Sequence, residues 1–261
     1  MPDRSADEIT ARSRERFAPR AEGYRESPLH AAGPDLDLLV ELVSGPEGFR
    51  ALDVATGGGH VALALARAGA DVTACDLTPE MLDVAGTLLA EHGYQAAYVV
   101  AEASALPFPD ATFNAVTCRI AAHHFPDVQA FFAEVARVLV PGGRFGFQDQ
   151  TLPPEHTSAV LVDAFERLRD PSHNRAFSAE GWITQIERAG LGIDRFELID
   201  KRHDFAEWTM RQDCDAETVA GLAELMAEAP PAMREWLAPE YDDGRLVAFN
   251  NRHLVVLARK P

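Results

Sequence analysis

The chain has 261 residues, of which 47% are hydrophobic and 25% charged, a mix typical of a folded globular protein with a sizeable core. Its net charge of −17 argues against a nucleic-acid partner and an anionic membrane surface, because both require clustered lysine and arginine. No segment approaches the roughly 20 apolar residues of a membrane span, and the polar N-terminus lacks the apolar stretch of a secretory signal, so we expect a cytoplasmic protein.

The first 33 residues are polar and are predicted to form a partly helical N-terminal arm, which contains Tyr24, Pro28 and His30. A short helix is expected over residues 34–44, beginning at Pro34 and ending before a Gly-Pro pair.

Strand-like and helix-like patterns then alternate. Strands are predicted over residues 50–55, 71–76, 96–101, 112–119 and 144–148, and helices over residues 58–68, 79–92 and 127–139. Thr78 suits the cap of the second of these helices. Alternation with short turns implies a parallel, doubly wound sheet, and the near-continuously apolar strands imply that both of its faces are covered.

After residue 150 the pattern changes. We predict helices over residues 155–169 and 178–189, a strand over 193–202, a helical excursion over 205–237 and a last strand over 246–259. Ser178 suits the cap of the second of these helices. Because no repeat or low-complexity linker interrupts the chain, one domain with a helical insertion is the simplest interpretation.

The loop after the first predicted strand contains Gly57, Gly58 and Gly59, and its spacing also fits the dinucleotide-binding pattern. Asp76 ends the second strand, where an acid can accept hydrogen bonds from the two hydroxyls of a ribose in either a nicotinamide or an adenosyl site. Asp53 favours the adenosyl site, because a pyrophosphate avoids a nearby carboxylate whereas an ammonium group does not. The alternative for Asp53 alone is a carboxylate that braces the loop.

Five motifs follow one another between residues 20 and 150: LDVATGGGH, ACDLTPEML, AEASALPFPDATFNAVTCR, AAHHFPD and VLVPGGRF. In this order and spacing they resemble the class I S-adenosylmethionine-dependent methyltransferases. The resemblance is to the branch that includes the ubiquinone/menaquinone-biosynthesis methyltransferases (methyltransferase type 11). Two departures stand out: Ala55-Thr56-Gly57-Gly58 replaces the commoner Gly-Cys-Gly-Thr/Ser, and Glu102 stands where the family often has Asp.

The resemblance implies an α/β fold with a Rossmann-like, doubly wound, mostly parallel seven-stranded sheet, an antiparallel last strand and a helical lid insertion. It places a single methyltransferase domain over residues 1–261. Residues 1–33 would form the arm, residues 34–150 the cofactor-binding core, and residues 151–261 the substrate lid helices with the last two strands.

The resemblance also assigns residues to the cofactor, S-adenosyl-L-methionine. It gives the methionine end to the glycine loop, the ribose to Asp76, the adenine to the loop after the third strand, and closure to the arm. The residues assigned in this way are Tyr24, Asp53, Ala55, Gly57, Gly59, Asp76, Leu77, Met81, Glu102, Ala103 and Arg119.

His123 and His124 are the predicted catalytic bases, because they follow the fourth strand on the expected ligand side and a histidine titrates near neutral pH. The alternative is that they brace the next helix and line the cofactor pocket. His156 and His173 are expected to be ordinary surface residues; the alternative is that they line the substrate pocket. Four aromatic residues in the later helical segments either line an apolar acceptor pocket or belong to the core: Phe177, Trp182, Trp208 and Trp236.

We therefore expect methyl transfer to a small-molecule acceptor, with no metal, no nucleic acid and no membrane partner. An adenosyl-binding scaffold without methyl transfer and an NAD-dependent oxidoreductase remain alternatives. The sequence identifies neither the accepting atom nor the oligomeric state.

Overall fold

A twisted sheet of nine strands forms the centre of the structure, a computed structural model that describes residues 5–25 and 31–261. The predicted arm residues Pro28 and His30 lie outside the described residues. The strands are β1 (Arg50–Val54), β2 (Asp71–Asp76), β3 (Ala97–Val100), β4 (Phe113–Arg119), β5 (Leu139–Leu152), β6 (Phe177–Ser178), β7 (Gly192–Asp204), β8 (Glu240–Asp242) and β9 (Arg245–Arg259).

Helices cover both faces of the sheet and its carboxyl edge. They are α1 (Ala6–Phe17), α2 (Ala21–Arg25), α3 (Pro34–Val43), α4 (His60–Arg67), α5 (Pro79–Glu91), α6 (Val128–Val138), α7 (His156–Arg169), α8 (Ala179–Arg188), α9 (Phe205–Met210), α10 (Ala216–Ala227) and α11 (Pro231–Leu237). No helix in the described ranges has the length and apolar character needed to cross a membrane.

The main path of the sheet has the order β3-β2-β1-β4-β5-β9-β7. The neighbours from β3 to β5 are parallel, whereas β9 runs antiparallel to both β5 and β7. The predicted fold class is therefore confirmed, including its seven principal strands and antiparallel last strand. The pattern missed β6 and β8, because two or three residues are too few to show an alternation.

Strand β5 is much longer than predicted. It begins at Leu139, passes through Pro141-Gly142-Gly143 after a register shift, and continues to Leu152. Its partner β9 and the next strand, β7, are also long, so these three strands extend past the ends of β1 and β4 at Val54 and Arg119. Their extensions form the floor on which the later helices rest.

The two predicted caps have different outcomes. Ser178 Oγ accepts a hydrogen bond from the Gly181 amide at 3.1 Å, as expected for a cap. Thr78 occupies the cap position of α5, but its side chain makes no capping bond; instead Asp76 Oδ1 accepts from the Thr78 amide at 2.9 Å. The turn before α5 is therefore held by a hydrogen bond to the Asp76 carboxylate and not by one to the threonine hydroxyl.

The helices after β5 have their own hydrophobic core, separate from the aromatic cluster under α6 and α8. Trp208 stacks on Phe165 with ring centroids 5.1 Å apart, and both rings contact Phe249 of β9. Because Phe249 belongs to the sheet, these contacts hold α7 and α9 over the extended strands.

A buried ion cluster joins α3 to the sheet. Asp35 Oδ2 lies 2.8 Å from Arg119 Nη2, 2.6 Å from Lys201 Nζ and 2.9 Å from Gln148 Nε2, each of which donates to it. Asp35 is only 3% exposed. Burial raises the pKa of this carboxyl, but the two cations outweigh burial and leave the pKa below its ordinary value.

We expect the substitution Asp35→Asn to lower the free energy of unfolding by about 3 kcal/mol, because it leaves two buried cations without their carboxylate. Urea unfolding at pH 7 measures this loss. The wild-type contribution is present above the unfolded pKa of the carboxyl and disappears as the pH falls through the lower folded value.

Asp194→Asn is the matched control, because Asp194 pairs with Arg259 at the surface. Its loss should stay below about 1 kcal/mol. Equal losses in the two variants would contradict the role given to the buried cluster.

Candidate functional site

A cavity of about 510 Å³ lies at the carboxyl edge of the sheet. Its walls come from the arm, from the loops after β1 to β4, and from the extended parts of β5, β7 and β9. Ligands of open α/β sheets bind at this edge, and volumes of about 300–1,000 Å³ are usual for small-molecule sites. The cavity therefore has the position and size of a ligand site.

The glycine loop forms one end of the cavity. Its backbone enters the left-handed region at Ala55 (φ 55°), Gly57 (φ 52°) and Gly59 (φ 87°). A side chain at Gly59 would come within 2.8 Å of the Ala85 Cα, so α5 packs directly against the loop. Ala55 and Gly57 line the cavity, whereas Gly59 lies behind the wall.

Asp53 lies beneath this loop rather than at the cavity surface. It is 1% exposed, and its two oxygens accept hydrogen bonds from Thr56 Oγ1 at 2.6 Å and Thr117 Oγ1 at 2.8 Å. Burial raises the pKa of Asp53 to about 6. This geometry agrees with the alternative of a loop-bracing carboxylate, and direct contact of Asp53 with the cofactor stays a prediction.

Asp76 borders the cavity and fixes the loop at the same time. Its Oδ2 accepts from the Gly57 amide at 2.9 Å, while Oδ1 accepts from the Thr78 amide at 2.9 Å. Each carboxylate oxygen has a second lone pair, so the group can still accept from a vicinal diol in the cavity. Burial raises the pKa of Asp76, although these amides oppose the shift.

The neighbouring wall consists of residues predicted to surround the adenosyl group. Leu77 and Met81 line the cavity after β2, and Ala103 lines it after β3. Glu102 also lines the cavity and is exposed, which puts its carboxylate at the mouth. The structure thus brings these four predicted residues together around Asp76.

Arg119 does not line the cavity. Its guanidinium turns toward Asp35 and Gln148, while the following residues Ile120 and Ala121 border the cavity instead. The predicted contact of the Arg119 backbone with the cofactor therefore stays a prediction, and the side chain has a structural role.

The arm closes over the glycine loop. Tyr24 lines the cavity, and its backbone carbonyl oxygen lies 3.1 Å from His60 Nε2. A Cβ at Gly58 would come within 2.8 Å of the Tyr24 backbone, so only glycine allows this approach. Arg20 bonds Asp213 at 2.6 Å, which ties the arm to the segment after α9.

His123 and His124 occupy a 3₁₀ turn after β4, and their ring centroids are 4.0 Å apart. His123 Nδ1 donates to Asp149 Oδ1 at 2.6 Å, and His124 Nδ1 donates to the Ser172 carbonyl at 3.0 Å. In each ring the second nitrogen, Nε2, remains for another partner. Both residues line the cavity.

The two rings differ in basicity. Burial lowers the pKa of His123, but the Asp149 carboxylate outweighs burial and raises it above the ordinary value. Burial and the neighbouring His123 lower the pKa of His124 to about 3. His124 is therefore neutral and weakly basic at pH 7, whereas His123 is a strong enough base to accept a proton.

His173 is buried at 1% exposure and lines the cavity, so the expectation of a surface residue was wrong. Its Nε2 donates to Asp163 Oδ1 at 2.8 Å and its Nδ1 accepts from Gln150 Nε2 at 3.1 Å, which satisfies both nitrogens. The loop that carries His173 folds back under α7, a tertiary contact without a local signal. His156 is exposed, as expected.

The aromatic residues mostly belong to the core. Trp182 is fully buried and donates from Nε1 to the Gln150 carbonyl at 2.9 Å, and Phe177 packs against it with centroids 4.8 Å apart. Trp236 lies under the Arg252 guanidinium, whereas Trp208 borders the cavity. An apolar acceptor pocket lined by all four is therefore wrong.

Sequence reasoning missed the polar floor of the cavity. Its members are cavity-lining side chains from the extended strands and the segment after α9: Gln150, Lys201, His203, Arg211, Asn251 and His253. The sequence did contain a signal for this floor: two polar residues, Asn251 and His253, lie two positions apart in the otherwise apolar last strand. Because the predicted β5 was too short, the sequence pattern did not predict that these residues reach the cavity.

Among the described residues, no group of three histidines, cysteines or acids is placed to hold a metal ion. Two of the cavity's histidines, His123 and His173, instead bond to the buried carboxylates of Asp149 and Asp163.

Comparison with known proteins agrees with this architecture. Residues 52–147 match the family described as a methyltransferase domain. An uncharacterized methyltransferase of Bacillus subtilis, YcgJ, is 40% identical over 196 residues, which cover 75% of this chain and 78% of that protein. A ubiquinone biosynthesis O-methyltransferase of Xanthomonas axonopodis is 38% identical over 143 residues, 53% of this chain and 59% of that protein.

Solved structures show the same fold. A candidate methyltransferase of Bacillus halodurans superimposes with a TM-score of 0.84 and 35% identity, over 88% of this chain and 100% of that one. The similarity thus extends beyond the glycine loop to the helices over the cavity. The chain belongs to the class I S-adenosylmethionine-dependent methyltransferases, in the branch related to the ubiquinone-biosynthesis enzymes.

Proposed function

We propose that this methyltransferase acts on a small polar acceptor that loses a proton, and that His123 is the base that accepts the proton. One observation carries the proposal: His123 Nδ1 lies 2.6 Å from Asp149 Oδ1 while the ring borders the cavity. This arrangement fixes Nε2 as the basic nitrogen and orients it. A hydroxyl or an acidic carbon needs such a base, whereas a neutral amine or thiol needs it less.

The residues of the cavity fit the cofactor, S-adenosyl-L-methionine. Asp76 offers acceptors for the ribose hydroxyls, and Leu77, Met81 and Ala103 offer apolar contact for the adenine, with Glu102 at its edge. Ala55 and Gly57 expose backbone for the methionine end, and Tyr24 covers it from the arm. When bound, the cofactor supplies a methyl group on a sulfonium, which is a good leaving group.

The remaining tasks belong to the chain itself. The arm and the helices after β5 exclude water from the cavity, and the floor orients the acceptor. His123 holds the acceptor's proton at Nε2, and Asp149 stabilises the imidazolium that forms. His124 is too weak a base for this role, and we infer that it lines the wall and holds the Ser172 loop through its Nδ1.

The division of labour follows the proposed domain organisation. A single domain combines an arm, a cofactor core over residues 34–150 and a lid with the last strands over residues 151–261. A small-molecule acceptor is favoured over a nucleic acid by the net charge of −17 and by a cavity of about 510 Å³.

We expect Asp76→Ala to weaken binding of S-adenosylhomocysteine by about a hundredfold, since hydrogen bonds to a charged group contribute about 1.5–3 kcal/mol. Isothermal titration measures the affinity. The control is Asp83→Ala on the exposed face of α5, which should bind like the wild type. An unchanged affinity in Asp76→Ala would contradict the ribose assignment.

We expect Asp149→Asn to lower the pKa of His123, because burial then acts without the opposing carboxylate. The neutral, basic ring exists above the His123 pKa, so in the wild type the rate rises with pH through a value above 6.5. In Asp149→Asn this rise should shift to lower pH, with a maximal rate about a hundredfold smaller.

Two measurements check this expectation. Imidazole NMR titration follows the His123 pKa without any acceptor. Formation of S-adenosylhomocysteine, screened over phenols, alcohols and acidic-carbon compounds, gives the pH–rate profile and its dependence on His123→Gln. Asp127→Asn is the control, because Asp127 caps α6 away from this pair. A rate that is independent of pH and of His123 would show that the acceptor needs no base.

A further inference from the structure

The far end of the cavity carries positive side chains whose charge the methyl-transfer proposal does not use. We define the cationic corner as the cations Arg169, Lys201 and Arg211 together with His203, all of which line the cavity. Burial and the neighbouring Arg211 lower the pKa of His203 to about 3, so its ring is neutral at pH 7. Arg169 is the last residue of α7, Lys201 and His203 lie on β7, and Arg211 follows α9. The corner is thus built from the extended sheet and from the two helices that rest on it.

The pairing of β7 and β9 brings two residues of the corner and two neighbouring polar residues to one face of the sheet. Lys201 pairs with Asn251 and His203 with Phe249 in the antiparallel register of β7 and β9. Residues two apart on a strand share a face, so Lys201, His203, Asn251 and His253 point to the same side. All four line the cavity.

The arginines are held in place by contacts with a backbone carbonyl and with rings rather than by ion pairs among the described residues. Arg169 Nε donates to the Trp208 carbonyl at 3.0 Å, and its guanidinium lies 4.4 Å from the centre of the Trp208 ring. Arg211 Nη2 lies 3.5 Å from His203 Nδ1. Within residues 5–25 and 31–261, neither arginine has a carboxylate within the 4.0 Å of an ion pair.

Two of the surrounding acids pair with arginines outside the corner, and a third, Asp35, compensates Lys201. Asp170 accepts from the Ser172 hydroxyl and lies 3.8 Å from Arg16, Asp213 pairs with Arg20, and Asp35 holds Lys201. Glu166 accepts from Asn251 at 3.0 Å, and burial raises its pKa to about 7. The positive charge that remains at this end of the cavity therefore belongs to Arg169 and Arg211, in a chain that is strongly acidic as a whole.

A second observation points to a ligand at this floor. His253 is 4% exposed, and its Nδ1 is buried without a hydrogen-bond partner among the described residues. A buried polar atom without a partner costs about 1–3 kcal/mol, so such atoms are rare unless a ligand or water satisfies them. His253 sits beside Lys201 and His203, where a ligand that reaches the corner would pass.

We propose that the cationic corner binds an anionic group of the methyl acceptor, a carboxylate or a phosphate, and so orients the accepting atom toward His123. This inference rests on the proposed function, because it names the substrate class of the same site. Two guanidinium groups recognise either anion through paired hydrogen bonds, so the shared chemistry is a small oxyanion.

The test uses the full chain saturated with S-adenosylhomocysteine, so that the carboxylate of the cofactor is already accounted for. Isothermal titration compares benzoate with benzamide and phenyl phosphate with phenol. We expect each anion to bind at least about tenfold more tightly than its neutral counterpart, since a hydrogen bond to a charged group contributes about 1.5–3 kcal/mol. The tighter of the two anions identifies carboxylate or phosphate as the natural group.

Arg211→Gln should abolish this preference. Arg202→Gln is the matched control, because Arg202 neighbours His203 in sequence but pairs with Glu240 at the surface, and it should keep the preference. Affinity for S-adenosylhomocysteine, measured for each variant, verifies that the site is folded.

Three outcomes would overturn the inference: equal binding of anions and neutral probes, a preference that survives Arg211→Gln, or weakened cofactor binding in Arg211→Gln with no effect on the probes. The last outcome would assign the corner to the cofactor. Failure of the wild type to bind S-adenosylhomocysteine would instead count against the cofactor site, so the two proposals fail separately.

Discussion

The hydrogen bonds between His123 and Asp149 connect the loop after β4 to the sheet, and the rest of the site depends on this connection. Asp149 belongs to β5, and its two oxygens accept from the His123 ring at 2.6 Å and from the His123 amide at 3.1 Å. The carbonyl of the same histidine accepts from the amides of Asn174 and Arg175 at 2.9 Å. One residue of the loop after β4 is thereby bound both to the sheet and to the segment under α7. We propose that cofactor and acceptor meet beside this residue, where a base would be close to both. Because Asp149 is fully buried, the pair is shielded from solvent that would weaken it.

The lengths of three strands explain why one cavity contains two chemically different ends. Loops after short strands such as β1 present backbone groups and small residues, which suit a cofactor that must be approached closely. Strands β5, β7 and β9 continue past that edge and present side chains instead. Their outer residues are polar because they face the cavity, while Phe249 on the same strand packs into the core of the lid. A parallel sheet alone would offer only loops at this edge; the antiparallel last strand allows β7 and β9 to extend together, with hydrogen bonds along their whole length.

The sequence was sufficient for the sheet and for placing most of the predicted cofactor residues at the cavity, because both follow from local patterns. The strand over residues 71–76 has the predicted bounds, and Asp76 lies at the cavity as its position at a strand end implied. The opposite end of the cavity depends on contacts between distant segments, and sequence periodicity does not reveal such contacts. His173 is buried because its loop folds against Asp163 and Gln150. Asp53 lies beneath the glycine loop, where the Thr117 hydroxyl of a neighbouring strand donates a hydrogen bond to it. The sequence pattern did not show the start of β5 because residues such as Pro141-Gly142-Gly143 usually end an element. Here they form an irregularity at the start of the strand.

Backbone strain at the cavity has a physical explanation in the same network. Ala55 and Ile120 both adopt left-handed conformations, at φ 55° and 57°, although neither is a glycine, and a β-branched residue is especially disfavoured there. Such a conformation costs on the order of 1–2 kcal/mol, so surrounding contacts must enforce it. The Ile120 amide donates to the Gln148 carbonyl at 2.7 Å, and the Gln148 side chain belongs to the buried cluster around Asp35. The Thr56 amide donates to the Cys75 carbonyl at 3.0 Å, which holds the turn just after Ala55. Both strained residues border the cavity. Hydrogen bonds to the sheet, one of them to a residue of the buried ion cluster, therefore help to hold the two sharp turns at the edge of the cavity.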